Sequence, residues 1–158
     1  MTSTRKMEIG LAMIRITTAT FFLVWSLEKI IVPEIAQEVF ARFYASTISP
    51  GTSITIGIVQ AAIVLLFLAG LFKLWTYGAI LGMQAVSTLS SYEPLLNPYT
   101  PPNHLFWAAV PTLGAIFALF LMRKEDQLLT FSWIVGKLRS CTFLHQDCIR
   151  GQKDRKRA

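Results

Sequence analysis

Charge is scarce in this chain: Asp, Glu, Lys and Arg together make up 15% of its 158 residues, and none occurs from Phe43 through Phe72. A soluble domain holds nearer a quarter, so the shortage excludes a fold whose main solvent is water. Histidine and cysteine are scarcer still, with two of each, and there is no CxxC, no HExxH and no glycine-rich phosphate loop. Structural zinc sites, zinc-protease centres and nucleotide cradles need those residues at those spacings. Nothing in the chain reads as a self-sufficient active site.

What remains is apolar. Hydrophobic residues account for 53% of the sequence, and the mean hydropathy is +0.50. The length suits one compact bundle with short loops and a tail. The net charge of +6 raises the possibility of nucleic acid. However, Arg150, Lys153, Arg155, Lys156 and Arg157 collect much of it at one end, a pattern better explained by membrane topology. No nucleic-acid partner is expected.

The apolar pattern divides into four spans, near residues 9–31, 54–74, 75–90 and 104–122. The first is interrupted only by Arg15 and by Glu28-Lys29, and Pro33 ends it. It reads as a retained anchor, because no small-x-small cleavage site follows. In the next segment, Ile35, Val39 and Phe43 form one stripe and Glu34, Glu38 and Arg42 another, which predicts a short surface helix in the first outer loop. Lys73 marks a tight turn between spans two and three, and Gly78-x-x-x-Gly82 permits close helix approach. Four prolines in residues 92–103 predict a rigid loop without regular helix, and Pro111 predicts a bend in span four. Residues 127–138 read as an interfacial amphipathic helix, completing a transmembrane domain over 1–138. A basic tail, 139–158, follows.

Positive charge sets the orientation. Arg5, Lys6, Lys73, Arg123, Lys124 and the tail gather on one side, against Arg42 and a borderline Lys29 on the other. By the positive-inside rule both termini are cytoplasmic, in the cell inner membrane, and the tail suits anionic lipid or a cytoplasmic partner. Cys141 and Cys148 are then expected to be reduced. With His145 between them they make a weak metal set.

Ionisable groups in a span are costly, so Arg15, Glu28 and Lys29 become functional candidates. For Arg15 the alternative is snorkelling to the inner headgroups; for Glu28 and Lys29 it is marking the outer interface. Topology places Gln60 and Gln84 in the outer half with Glu28 and Lys29, and Ser87, Thr88, Asn103 and His104 nearby. Such a group suits a quinone headgroup, whose carbonyls need donors and whose ring needs flat surfaces such as Trp25 and Trp107. The alternative for the glutamines is hydrogen bonding that glues helices together.

Leu11-Ala12-Met13-Ile14-Arg15, then Phe21 through Ile30 with Lys29, and Pro33 resemble the opening of the DoxX family. Ile56-Gly57-Ile58-Val59-Gln60 and Leu68 through Trp75 resemble its second helix and following turn. The resemblance covers residues 10–133. Ser26 stands where a glycine is common, and Gln60 where an acid is frequent. It implies an all-α, four-helix membrane protein associated with redox systems, with Arg15, Lys29 and Gln60 as functional positions. The expected function is an accessory subunit that anchors a catalytic partner among other membrane or membrane-associated subunits. It does not catalyse alone, and it holds a quinone near Glu28, Lys29, Gln60, Gln84 and His104, with Arg15 as a further candidate. The alternative is a purely structural or assembly subunit packing through Gly78/Gly82 and Gly114/Ala118. A small-solute transporter is a third, weaker reading, since broken helices and chains of intramembrane acids are missing.

Overall fold

The computed structural model describes residues 2–131 and residue 133. The tail 139–158, with Cys141, His145 and Cys148, lies outside the described residues, as does most of the expected helix over 127–138. Among the described residues the chain is all helical, without strands. Its elements are α1 (Ser3–Ile31), α2 (Pro33–Phe43), α3 (Pro50–Leu68), α4 (Lys73–Ser90), α5 (Tyr92–Leu96), a 3-10 segment (Asn103–Ala108) and α6 (Ala109–Leu121).

Local chemistry explains the boundaries. Thr2 caps α1 by accepting from the Arg5 backbone N–H, and Ser49 caps α3 by accepting from Thr52, with Pro50 at the first helical position. Pro33 opens α2 in the same way. At the end of α3, Gly70 takes φ +66°. Its N–H bonds Phe67 O, while the Leu71 N–H reaches Leu66 O, so the last carbonyls are satisfied and the chain reverses in a Schellman turn.

Helices α1, α3, α4 and α6 close a ring, each packing on the next, with α6 returning to α1. Its centre holds Leu11, Ala19, Phe22, Val64, Phe67, Tyr77, Ile80, Ile116 and Leu119. The N-terminal half of α1, the α3–α4 turn and the C-terminal end of α6 meet at one end of the bundle. At the other end lie α2, α5, the 3-10 segment and the C-terminus of α1.

Three helical stretches, Ser3–Ile31, Pro50–Leu68 and Asn103–Leu121, are long and apolar enough to cross a membrane, as befits an integral membrane protein. The expected third span coincides with α4, which falls outside that set. Thr76, Tyr77, Gln84 and Thr88 make it more polar, and all four are buried inside the bundle.

Two local expectations are corrected. Residues 92–103 are not wholly free of regular helix, because Tyr92–Leu96 forms one turn of α-helix; Pro94 sits in its first turn, where no N–H is required. Pro111 lies inside the stretch Asn103–Leu121, in the first turn of α6 just after the 3-10 segment. Finally, residues 126–130 are not helical: the chain turns back into the bundle end, burying Asp126 and Thr130 completely.

The closest helix crossing joins α1 and α3. A Cβ on Gly57 would stand 2.8 Å from Ile30 Cγ1 and 2.9 Å from the Ser26 carbonyl oxygen. Beside it, the Ser53 hydroxyl donates to Lys29 O at 3.1 Å. We expect Gly57→Ala to destabilise the protein in detergent by about 1–3 kcal/mol through overpacking. A Cβ on Gly82 meets nothing within 4 Å, so Gly82→Ala should leave the melting temperature unchanged or raised. Equal melting temperatures for the two variants would contradict the crossing.

Candidate ligand-binding cavity and a buried ion pair

The end of the bundle that holds α2 and α5 encloses a cavity of about 670 Å³, within the range of small-molecule sites. On α4 a Cβ at Gly78 would stand 3.5 Å from the Phe120 ring of α6, whereas one turn on, at Gly82, which lines the cavity, nothing lies within 4 Å. Helix α2 folds back over the opening and contributes Ala36, Val39 and Phe40 to the wall.

Glu28, Lys29, Gln60 and Gln84, which topology alone grouped together, all line this cavity, with Trp25 and Ser87. Lys29 Nζ donates to Trp25 O at 3.1 Å and stands 5.7 Å from the centroid of the Trp25 ring, which leaves further N–H donors on the ammonium. Gln84 is partly engaged. Its Nε2 donates to Thr88 Oγ1 at 3.4 Å, and that hydroxyl donates to Gln84 O at 2.8 Å. Gln60 differs from both. Its side chain is only 9% exposed, yet it makes no hydrogen bond among the described residues. Its amide is therefore open to the cavity, where a ligand can accept from it or donate to it.

His104 is not part of this lining, and neither are Thr88, Asn103 and Trp107. The 3-10 segment explains the correction, since three residues per turn place His104 and Trp107 on one face. Both are exposed, while Leu105 and Ala108, one face over, line the cavity. Asn103 instead donates to Asn97 O at 3.1 Å.

Arg15 belongs to the opposite end and does not snorkel. It is fully buried, and its Nη1 lies 2.6 Å from Asp126 Oδ1. Nη2 donates to Leu128 O at 2.7 Å. Tyr77 donates its hydroxyl to Asp126 Oδ2 at 2.6 Å, and Lys73 Nζ donates to the Asp126 carbonyl. The chain after α6 is therefore bound to α1 and α4 by charge and hydrogen bonds, and Phe131 N completes the join by donating to Ala69 O at 2.8 Å. Gly70 permits it: a Cβ there would stand 2.7 Å from Thr130 Cγ2.

Sequence reasoning passed over Asp126 and Tyr77. Asp126 sits in a short charged run that resembles any solvated turn. The available signal was the demand that Arg15, in a span, find an acid at its own depth and at its own end of the bundle.

No protein-family model, curated protein or solved structure matches this chain.

Removing one member of a buried pair strands the other charge, so Arg15→Met should cost about 3–5 kcal/mol in denaturation measured in detergent. Arg15→Met combined with Asp126→Leu should recover most of that loss. A double variant as unstable as the single one would show that the pair is not the tie.

Proposed function

We propose that this chain is an accessory subunit of a redox complex in the cell inner membrane, and that its cavity holds a quinone for a catalytic partner. The observation that carries the reading is the Gln60 amide, which lines the cavity and makes no hydrogen bond among the described residues, in a wall that is otherwise mainly aromatic and aliphatic. A quinone carbonyl accepts the hydrogen bond that Gln60 has free, and Lys29 offers a second donor. Phe22, Trp25 and Phe40 supply flat apolar surface for a ring. When bound, a quinone supplies two-electron acceptor chemistry; the residues of this chain hold and orient it and exclude water. The resemblance to the DoxX family, with Lys29 and Gln60 at matching positions, points the same way.

The same proposal takes α4 as a fourth span, since its polar residues face the bundle interior and it packs between α3 and α6. Arg5, Lys6, Lys73, Arg123 and Lys124 lie toward the Arg15 end, which we assign to the cytoplasm, where they meet anionic lipid. A reporter fused to the C-terminus should be active only in the cytoplasm, and one inserted at Asn97 only on the far side. The reverse result would invert the orientation.

A role in packing against partner subunits draws on α6, whose buried residues are only Ile116 and Leu119. Gly114 and Ala118 are exposed on it. Gly78 and Gly82 do not offer an outer face of this kind, because Phe120 covers the first and the second lines the cavity.

Gln60→Leu tests the quinone reading directly. The leucine removes the amide but keeps the bulk, so binding of decyl-benzoquinone should weaken about tenfold, the worth of one hydrogen bond. The melting temperature should hold or rise. If binding is unchanged, or if the protein melts early because the amide was structural glue, the pocket assignment fails.

A further inference from the structure

We propose that the cavity opens sideways into the hydrocarbon of the membrane, and that its occupant is a long-tailed quinone whose ring sits against Gln60 while its tail leaves between α1, α4 and α6. This rests on the quinone reading above and adds the route and the substrate class.

The lining is polarised by depth into the protein. Its back wall is buried: Phe22 is 5% exposed, Ala36 3%, Gln84 4% and Gln60 9%. Its front is open and apolar, with Phe21 46% exposed, Trp25 39%, Val86 53% and Leu105 66%. Gly82 and Ala108 are exposed along the same front. These residues come from α1, α4 and the segment leading into α6, so the front is a slot between helices.

The slot reaches into the span. Phe21 precedes the C-terminal end of α1 by about 15 Å of helix at 1.5 Å per residue. Toward the loops the cavity is crossed by a contact, since the Phe43 and Phe106 rings of α2 and the 3-10 segment approach to 5.8 Å between centroids. At the far end the packed core, with Val64, Phe67 and Ile80 fully buried, closes it. A path whose exposed side is mainly apolar, with Ser87 exposed on it and Glu28 and Lys29 only partly buried, suits an amphiphile delivered from lipid. A water-soluble ring has no use for the exposed apolar front. The volume also exceeds what one ring occupies and leaves room for the first part of a tail.

The probe is a decyl-benzoquinone carrying a diazirine at the end of its tail, photolysed with the full-length protein in phospholipid vesicles and mapped by mass spectrometry. Labelling that a tailed competitor displaces is expected on residues 21–25, 82–86 and 105–109. In parallel, Gly82→Leu, which fills the slot where a Cβ meets nothing within 4 Å, should weaken binding of the decyl compound about tenfold. It should affect a tailless dimethoxy-benzoquinone much less. Displaceable labelling confined to residues 39–44 and 92–99 would place the tail at the loop end and overturn the lateral slot, leaving the quinone reading intact. Absence of displaceable labelling anywhere would overturn both.

Discussion

The contact between Arg15 and Asp126 is the constraint around which this bundle is arranged. A guanidinium fully withdrawn from water in an apolar protein is tolerable only with a counter-charge and further hydrogen-bond acceptors. Asp126 and Leu128 provide them, and for that the chain must turn back after α6. The turn in its place brings Thr130 against Gly70 and Phe131 against Ala69. Tyr77 ties α4 into the same group. One end of the ring of helices is thereby pinned at three elements, and the other end encloses the cavity.

The cavity lies among helices that differ in how closely they pack. Helices α1 and α3 stay in tight contact along their length because Gly57 lets the Ser26–Ile30 turn approach. Helix α4 meets α6 at Gly78 and Phe120, and at Gly82 a Cβ would meet nothing within 4 Å. The polar residues brought to the gap are those with no use in the helix ladders, and one of them, Gln60, has no partner at all among the described residues. Polar side chains thus gather at both ends. At one, Arg15 and Asp126 are fully buried and ion-paired, with Arg15 Nε lacking a hydrogen-bond partner among the described residues; at the other, Gln60 faces the cavity.

Much of this organisation could be read from residue order. Long uncharged runs and the stop at Pro33 mark helices by local chemistry alone, whereas the second span, expected at 54–74, runs Pro50–Leu68 because Ser49 caps it and the turn at Gly70 ends it. Antiparallel connectivity then sets Glu28, Lys29, Gln60 and Gln84 at one depth. Features that depend on contacts far apart in sequence were less legible. His104 points away because the backbone tightens into a 3-10 turn, and Asp126 is buried because Arg15 requires it. Neither fact is written in the neighbouring residues. Pro94 shows the converse limit: a residue that breaks helices in general is harmless at a helical first turn.

The distance in sequence between Arg15 and its acceptors has a consequence for how the protein is made. Arg15 and Leu128 are 113 positions apart, so α1 emerges from the ribosome and inserts long before Asp126 exists. During that interval the arginine has no counter-ion from its own chain and must remain near water or be sheltered by other molecules. Its pairing inside the bundle has to wait for the segment after α6, which carries Asp126 and Leu128. A chain cut short of Asp126 carries every apolar span but retains an exposed positive charge where the finished protein has none, which gives the cell a chemical distinction between incomplete and complete copies.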